Sequence, residues 1–207
     1  MKSVIFTSAL VSSSILSSDG FSFVARKSAS LRSASQLDAT SIIFGTIGGN
    51  TELIAGYISE ATGISPILID DASDSDFTGS DSLIVGCPTW NTGADEQRSM
   101  TGWDEWLYDN MNSIDLKGKK VAFFGVGDQM SYMDNYCDAV GELYDRFTEK
   151  GCTAFGMTST DGYSHSESKS EIDGKFVGLV CDQDNQDDMS EDRAKAWVEQ
   201  LKAEGFF

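Results

Sequence analysis

Five short, nearly continuous apolar runs punctuate the chain, at residues 41–44, 67–69, 82–86, 121–125 and 152–157. Because they are continuous rather than alternating, they predict strands buried on both faces. Between and after them, residues 51–62, 103–111, 135–150 and 190–203 carry apolar side chains at helical spacing, as in Ala194, Trp197, Val198 and Leu201. Strands alternating with helices predict a parallel sheet covered on both sides, joined by right-handed crossovers. A further apolar run at 175–180 follows the polar stretch 159–174 with no helical pattern between, which predicts the second half of a split fifth strand.

Residues 1–37 differ in kind from the rest. They carry Lys2, Arg26, Lys27 and Arg32 against the single acid Asp19 and are rich in Ser and Ala. The apolar stretch 4–16 is too short and too polar to span a bilayer and reads as a signal-like core within residues 1–20. Residues 21–37 are basic, hydroxylated and acid-free, the composition of an organelle transit peptide. Together they predict a bipartite presequence resembling those that carry proteins into plastids bounded by extra membranes, where an aromatic such as Phe21 follows the first cleavage. A secretory signal followed by a linker is the alternative. Cys87, Cys137, Cys152 and Cys181 form no C-x-x-C pair, which fits buried thiols in a reducing compartment. Residues 38–207 then form one domain with one sizeable core.

The net charge is −18 for the whole chain, and removing the leader's +3 leaves −21 on residues 38–207, with 32 Asp and Glu against 11 Lys and Arg. That balance excludes a general nucleic-acid binder, which needs clustered Lys and Arg. It is compatible with solubility alone or with electrostatic steering toward a basic partner.

Candidate chemistry lies at the strand ends. Trp90 and Tyr132 each sit in a polar, glycine-containing loop directly after an apolar run, the first in Gly86-Cys87-Pro88-Thr89-Trp90-Asn91-Thr92-Gly93, the second after Gly125-Val126-Gly127-Asp128-Gln129. Large aromatics at such positions rarely serve packing, and two of them could hold a flat ligand. The first strand runs into Thr46-Ile47-Gly48-Gly49-Asn50-Thr51 and at once into a helix. Small residues, hydroxyls and a helix N-terminus make an anion cradle, although a simple capped turn would read the same way. Neither a Walker motif nor G-x-G-x-x-G is present. His165, the single histidine, lies in the polar stretch and is expected on the surface, so triads and histidine-based metal sites lack their main component.

A phosphate loop after the first strand, a tryptophan loop after the third and a tyrosine loop after the fourth resemble a flavodoxin over residues 40–207. The specific pieces are Gly86-Cys87-Pro88-Thr89-Trp90-Asn91, Gly125-Val126-Gly127-Asp128-Gln129 with Tyr132 and Asp134-Asn135, Ser159-Thr160-Asp161-Gly162-Tyr163, and Gly174-Lys175-Phe176-Val177-Gly178-Leu179 with Asp184-Asn185-Gln186. The last of these, with the insertion before it, is similar to the long-chain, algal plastid type. The resemblance implies a three-layer α/β/α sandwich whose five-stranded parallel sheet has order 2-1-3-4-5, for which flavodoxin is itself the standard example, with FMN at the switch point.

The resemblance also implies that Thr46, Ile47, Gly48, Gly49, Asn50 and Thr51 enclose the FMN phosphate and that Trp90 and Tyr132 flank the isoalloxazine. Asn91 and Thr92 would face the flavin edge near N5, with Gly93 a further residue of the FMN site. Gly127, Asp128, Asn135 and Asp184 would lie by its other polar edge, with Pro88, Thr89, Val126, Tyr136 and Cys137 completing the FMN site. Two departures stand out. Gly48 occupies a position where the family usually has Ser or Thr, and residues 93–102 make a long approach to Trp103 that reshapes the surface beside the flavin.

The implied function is a low-potential one-electron carrier, not an enzyme, working as a monomer between photosystem I and ferredoxin–NADP reductase in a plastid. A unit charge about 4 Å away costs roughly 4 kcal/mol at an effective dielectric of 20, so acids near the flavin lower its potential. An FMN-dependent NAD(P)H:quinone reductase on the same fold is the alternative.

Overall fold

The structure, a computed structural model, describes residues 39–207. The expected presequence therefore lies outside the described residues. In chain order the elements are β1 (Thr40–Phe44), α1 (Asn50–Thr62), β2 (Pro66–Leu68), α2 (Asp74–Thr78), β3 (Ser82–Pro88), α3 (Gly102–Trp106), β4 (Lys120–Val126), α4 (Asp138–Glu149), β5 (Thr153–Phe155), β6 (Thr158–Ser159), β7 (Glu171–Ile172), β8 (Lys175–Phe176), β9 (Leu179–Cys181) and α5 (Asp187–Ala203).

The main sheet is parallel with order β2-β1-β3-β4-β5, and β9 also pairs with β4. The continuous apolar runs have the predicted cause. Ile43, Leu83, Val85, Val121 and Phe123 pack with Trp103 and Trp106 of α3 and Val140, Leu143 and Phe147 of α4. Their sequence neighbours Ile42, Phe44, Ile84, Ala122 and Phe124 pack with Ile54 and Ile58 of α1 and Trp197, Val198 and Leu201 of α5. Since successive side chains of a strand point to opposite faces, a strand covered on both sides must be apolar at every position.

The fifth strand is split as predicted. β5 pairs with Lys120–Ala122 of β4, leaves the sheet, and the chain returns as β9 against Phe124–Val126. Gly156 has φ of +78°, a left-handed conformation that turns the backbone off the sheet immediately after Phe155. The excursion forms its own antiparallel sheet of order β6-β8-β7. It is anchored by the Tyr163 hydroxyl donating to the Val180 carbonyl at 2.6 Å and the Thr158 hydroxyl donating to the Gly178 carbonyl at 2.7 Å.

His165 departs from its expected place on the surface. Its side chain is only 6 % exposed, with Nε2 2.8 Å from Glu171 Oε2. The ring lies against Tyr136 and Phe176, at centroid distances of 5.5 and 5.0 Å. The polar composition of 159–174 concealed this, because the aromatic partners come from α4's approach and from β8.

Two helical expectations also shift, and one helix was not expected. Residues 103–111 form only the short α3 followed by a 3-10 turn at Asn110–Ser113, where Asn112 and Ser113 side chains bond to the Tyr108 and Asn110 carbonyls and compete with the helix ladder. The expected helix at 135–150 starts at Asp138, because Cys137 has φ of 54°. The unexpected helix is α2, whose first turn lies in the acidic stretch of Asp70, Asp71, Asp74 and Asp76. Its signal was the capping box of Ser73 and Asp76, in which the Ser73 N–H donates to Asp76 Oδ2 at 2.8 Å. No helix among the described residues is long and apolar enough to cross a membrane.

Candidate functional site

Parallel strands deliver the loops after β1, β3, β4 and β9 to one edge of the sheet, and a cleft of ≈ 260 Å³ opens there. Its walls are Ile47 and Asn50 from the first loop, Pro88, Thr89, Trp90 and Thr92 from the second, Val126, Gly127, Asp128 and Tyr132 from the third, and Gln183 and Asp184 from the fourth. Trp90 and Tyr132 are each 53 % exposed, so both indole and phenol faces are presented to the cleft rather than spent on the core.

The loop between β1 and α1 is built from donors. None of the backbone N–H groups of residues 46–52 meets an acceptor among the described residues. The hydroxyls of Thr46 and Thr51 are buried and have no partner either. Buried polar groups are nearly always satisfied, so two orphaned hydroxyls beside a row of unpaired amides mark a place built for an oxyanion. Gly48 and Gly49 have φ of +82° and +92°, the conformation that lets successive amides point the same way. A Cβ at Gly48 would meet nothing within 4 Å, so backbone conformation, not space, is what a side chain there would have to overcome.

In the tryptophan loop, Trp90 and Asn91 both donate their N–H to the Arg98 carbonyl, each at 3.0 Å, and Thr89 Oγ1 accepts from the Ala139 N–H of α4 at 3.0 Å. The Asn91 carbonyl accepts from the Ala94 N–H at 3.3 Å, closing a turn through Thr92 and Gly93. Asn91 and Gly93 belong to this turn at the edge of the cleft.

The tyrosine loop is organised by carboxylates. Asp128 Oδ1 accepts from the Met130 and Ser131 N–H groups at 2.9 Å each and from Asn185 Nδ2 at 3.0 Å. Burial disfavours its ionisation, but these hydrogen bonds outweigh burial and hold its carboxyl below the ordinary value. Asp182, fully buried behind the cleft, accepts from the Gln129, Asp184 and Asn185 N–H groups. Partial burial, then the charges of Asp128 and Asp182, raise the Asp184 carboxyl. Asn135 closes the turn by donating to the Tyr132 carbonyl at 3.0 Å. Tyr136 and Cys137 are fully buried and do not line the cleft. The thiols of Cys87, Cys137, Cys152 and Cys181 are all free and buried, and burial pushes each of them up, Cys152 to about 11 and Cys181 to about 12. Among the described residues no group of three or more His, Cys, Asp or Glu could hold a metal ion.

Gln183 escaped the reading of the sequence. Its position three residues beyond the strand half at 175–180 and directly before Asp184 was a usable signal, since ligand contacts in parallel sheets gather past the strand C-termini.

The flavodoxin family model matches residues 42–197. A flavodoxin of Picosynechococcus is 46 % identical over 165 residues, covering 78 % of this chain and 94 % of that protein. A flavodoxin of Nostoc is 42 % identical over 166 residues, covering 79 % and 95 %. Among solved structures, Fusobacterium nucleatum flavodoxin bound to flavin mononucleotide superposes with a TM-score of 0.73 at 27 % identity, covering 81 % of this chain and 99 % of that one. With the sheet order, the strand-end cleft and these relationships together, the chain belongs to the flavodoxin family.

Proposed function

We propose that this protein binds FMN non-covalently in the cleft and serves as a one-electron carrier, not an enzyme, passing electrons from photosystem I to ferredoxin–NADP reductase. The observation that carries the proposal is the donor-only loop at 46–52, with its orphaned Thr46 and Thr51 hydroxyls, placed in the same cleft as the two half-exposed aromatics. A phosphate monoester joined to a flat apolar ring answers both halves of that cleft.

In this reading Thr46, Ile47, Gly48, Gly49, Asn50 and Thr51 hold the phosphate, and Trp90 and Tyr132 cover the ring and exclude water from it. Asn91, Thr92, Gly93, Gly127, Asp128, Asn135 and Asp184 meet the ring's polar edges. Pro88, Thr89 and Val126 shape the floor, and the buried Tyr136 and Cys137 support it from behind. The flavin supplies one-electron chemistry, and the protein sets its potential. Asp128 and Asp184 line the cleft and Asp182 lies behind it, so negative charge added to a bound ring is opposed, which makes it a stronger reductant.

The acid excess of residues 38–207 favours encounter with basic partners through long-range attraction that salt screens. The basic, hydroxylated segment 1–37 and the cyanobacterial relatives support a plastid setting, with the presequence removed there and a monomeric mature chain. The test is to reconstitute residues 38–207 with FMN, reduce it by photosystem I particles in light, and follow electron delivery to ferredoxin–NADP reductase as salt is raised. Salt-sensitive transfer supports the reading. Steady NADPH:quinone turnover by the isolated protein would replace it with a reductase.

A further inference from the structure

The segment between the tryptophan loop and α3 is held in an unusual way. The N–H groups of four consecutive residues, 97 to 100, all donate to carboxylates. Gln97 and Arg98 donate to Glu142 Oε1 and Oε2 at 2.7 and 3.0 Å, and Ser99 and Met100 donate to Asp104 Oδ1 and Oδ2 at 3.1 and 2.8 Å. Gln97 and Met100 have φ of 58° and 55°, a region that non-glycine residues occupy only when their surroundings impose it.

The two carboxylates are not equivalent. Asp104 belongs to α3, only four or five residues further along, and closes a local turn. Glu142 comes from α4, across the molecule, and is 4 % exposed. Besides the two amides it takes the Tyr108 hydroxyl and lies 3.7 Å from the guanidinium of Arg98, itself 5 % exposed. That guanidinium folds back to donate to the Ala94 and Asp95 carbonyls. The peptide that Glu142 grips therefore offers its next carbonyl, that of Arg98, to the N–H groups of both Trp90 and Asn91, while the Gln97 carbonyl accepts from Asn91 Nδ2 at 3.2 Å. An unbroken chain of hydrogen bonds runs from α4 through residues 97–98 to the aromatic wall of the cleft.

We infer that Glu142 is a positioning residue that fixes the Trp90–Asn91 backbone against the ring end of the cleft. Hydrogen bonds to an ionised carboxylate are shorter and stronger than neutral ones. Here the bond from Arg98 is buried and that from Gln97 partly so, and their loss would leave both amides without these acceptors and release a segment held at positive φ. The functional consequence rests on the FMN reading, while the positioning itself does not.

The test is Glu142→Gln in the 38–207 protein, measured first without FMN. Amide hydrogen exchange by NMR is expected to speed up at Trp90, Asn91, Gln97 and Arg98 by more than at the β4 amides, which report the overall loss of stability. With FMN added, the dissociation constant is expected to rise about tenfold, the loss of one charge-assisted bond, and the separation of the two one-electron potentials to change. Exchange at Trp90 and Asn91 that stays at the wild-type rate, or flavin affinity and potentials that do not move, would overturn the inference. Should the variant not fold, wild-type exchange decides: opening of the Trp90 and Asn91 amides together with Gln97 and Arg98 upholds the coupling, and independent opening refutes it. Failure of wild-type protein to bind FMN would remove the functional reading and leave the apoprotein result standing.

Discussion

Thr46, in the loop after β1, and Thr51, in the first turn of α1, both have hydroxyls that are buried and unpartnered. An isosteric Thr51→Val change removes a hydroxyl that costs folding energy while nothing is bound. The apoprotein should be stabilised by about 1 kcal/mol in urea denaturation, while FMN affinity falls about tenfold by fluorescence titration. Opposite signs for stability and affinity separate a ligand-binding hydroxyl from a packing one. Affinity unchanged in a Thr46→Val, Thr51→Val double variant would place the phosphate elsewhere.

Gly48 is open on all sides but holds φ of +82°. Gly48→Ser would restore a hydroxyl to the loop and at the same time strain its backbone. Gly48→Ala supplies the strain alone and should destabilise the apoprotein by about 1 kcal/mol. Comparing FMN affinity of the Ser and Ala variants isolates what the hydroxyl adds. Equal affinities would mean that the backbone amides suffice.

Trp90 is half exposed, so its truncation should hardly touch the core. Trp90→Ala is expected to change apoprotein stability by no more than about 0.5 kcal/mol and to weaken FMN binding about tenfold through lost ring stacking. A large drop in apoprotein stability with flavin affinity intact would assign the indole to packing.

Asp128 and Asp184 predict opposite pH behaviour. The Asp128 carboxyl is held below its ordinary value of 3.8, so its contribution is full above that value and lost as pH falls through the lower, folded-state one. The Asp184 carboxyl is raised, so its contribution exists below 3.8 and disappears as pH rises through the higher, folded-state one. At neutral pH the apoprotein of Asp128→Asn should therefore be less stable than wild type, and that of Asp184→Asn more stable. Both differences should shrink in denaturation curves taken at about pH 3. Identical pH profiles for the two variants would contradict the arrangement of charges in the cleft.

The architecture was legible because its cause is local. Residues 83–86 and 121–125 carry no polar side chain, which suits a strand covered on both faces and little else. The three loops at 46–51, 90–93 and 126–132 were legible for a related reason, since glycine, hydroxyl and exposed aromatic residues cluster just past those strands. His165 and α2 were hidden by composition: a polar neighbourhood concealed the aromatic partners of the first, and an acidic run concealed the capping box of the second.

By itself, the sequence determined the succession of the main-sheet strands and the regions of α1, α3, α4 and α5, the split of the fifth strand, the charge of residues 38–207 and the residues at the strand ends. Each of these depends on neighbours within a few positions, or on composition. Only the tertiary structure decided that the Thr46 and Thr51 hydroxyls are orphaned, that Gln183 joins the cleft, and that Glu142 reaches residues 97 and 98 from 45 and 44 positions away. Those facts are contacts between distant segments. A buried carboxylate and an unpaired hydroxyl acquire their meaning from what the fold brings beside them, and no local pattern in the chain records it.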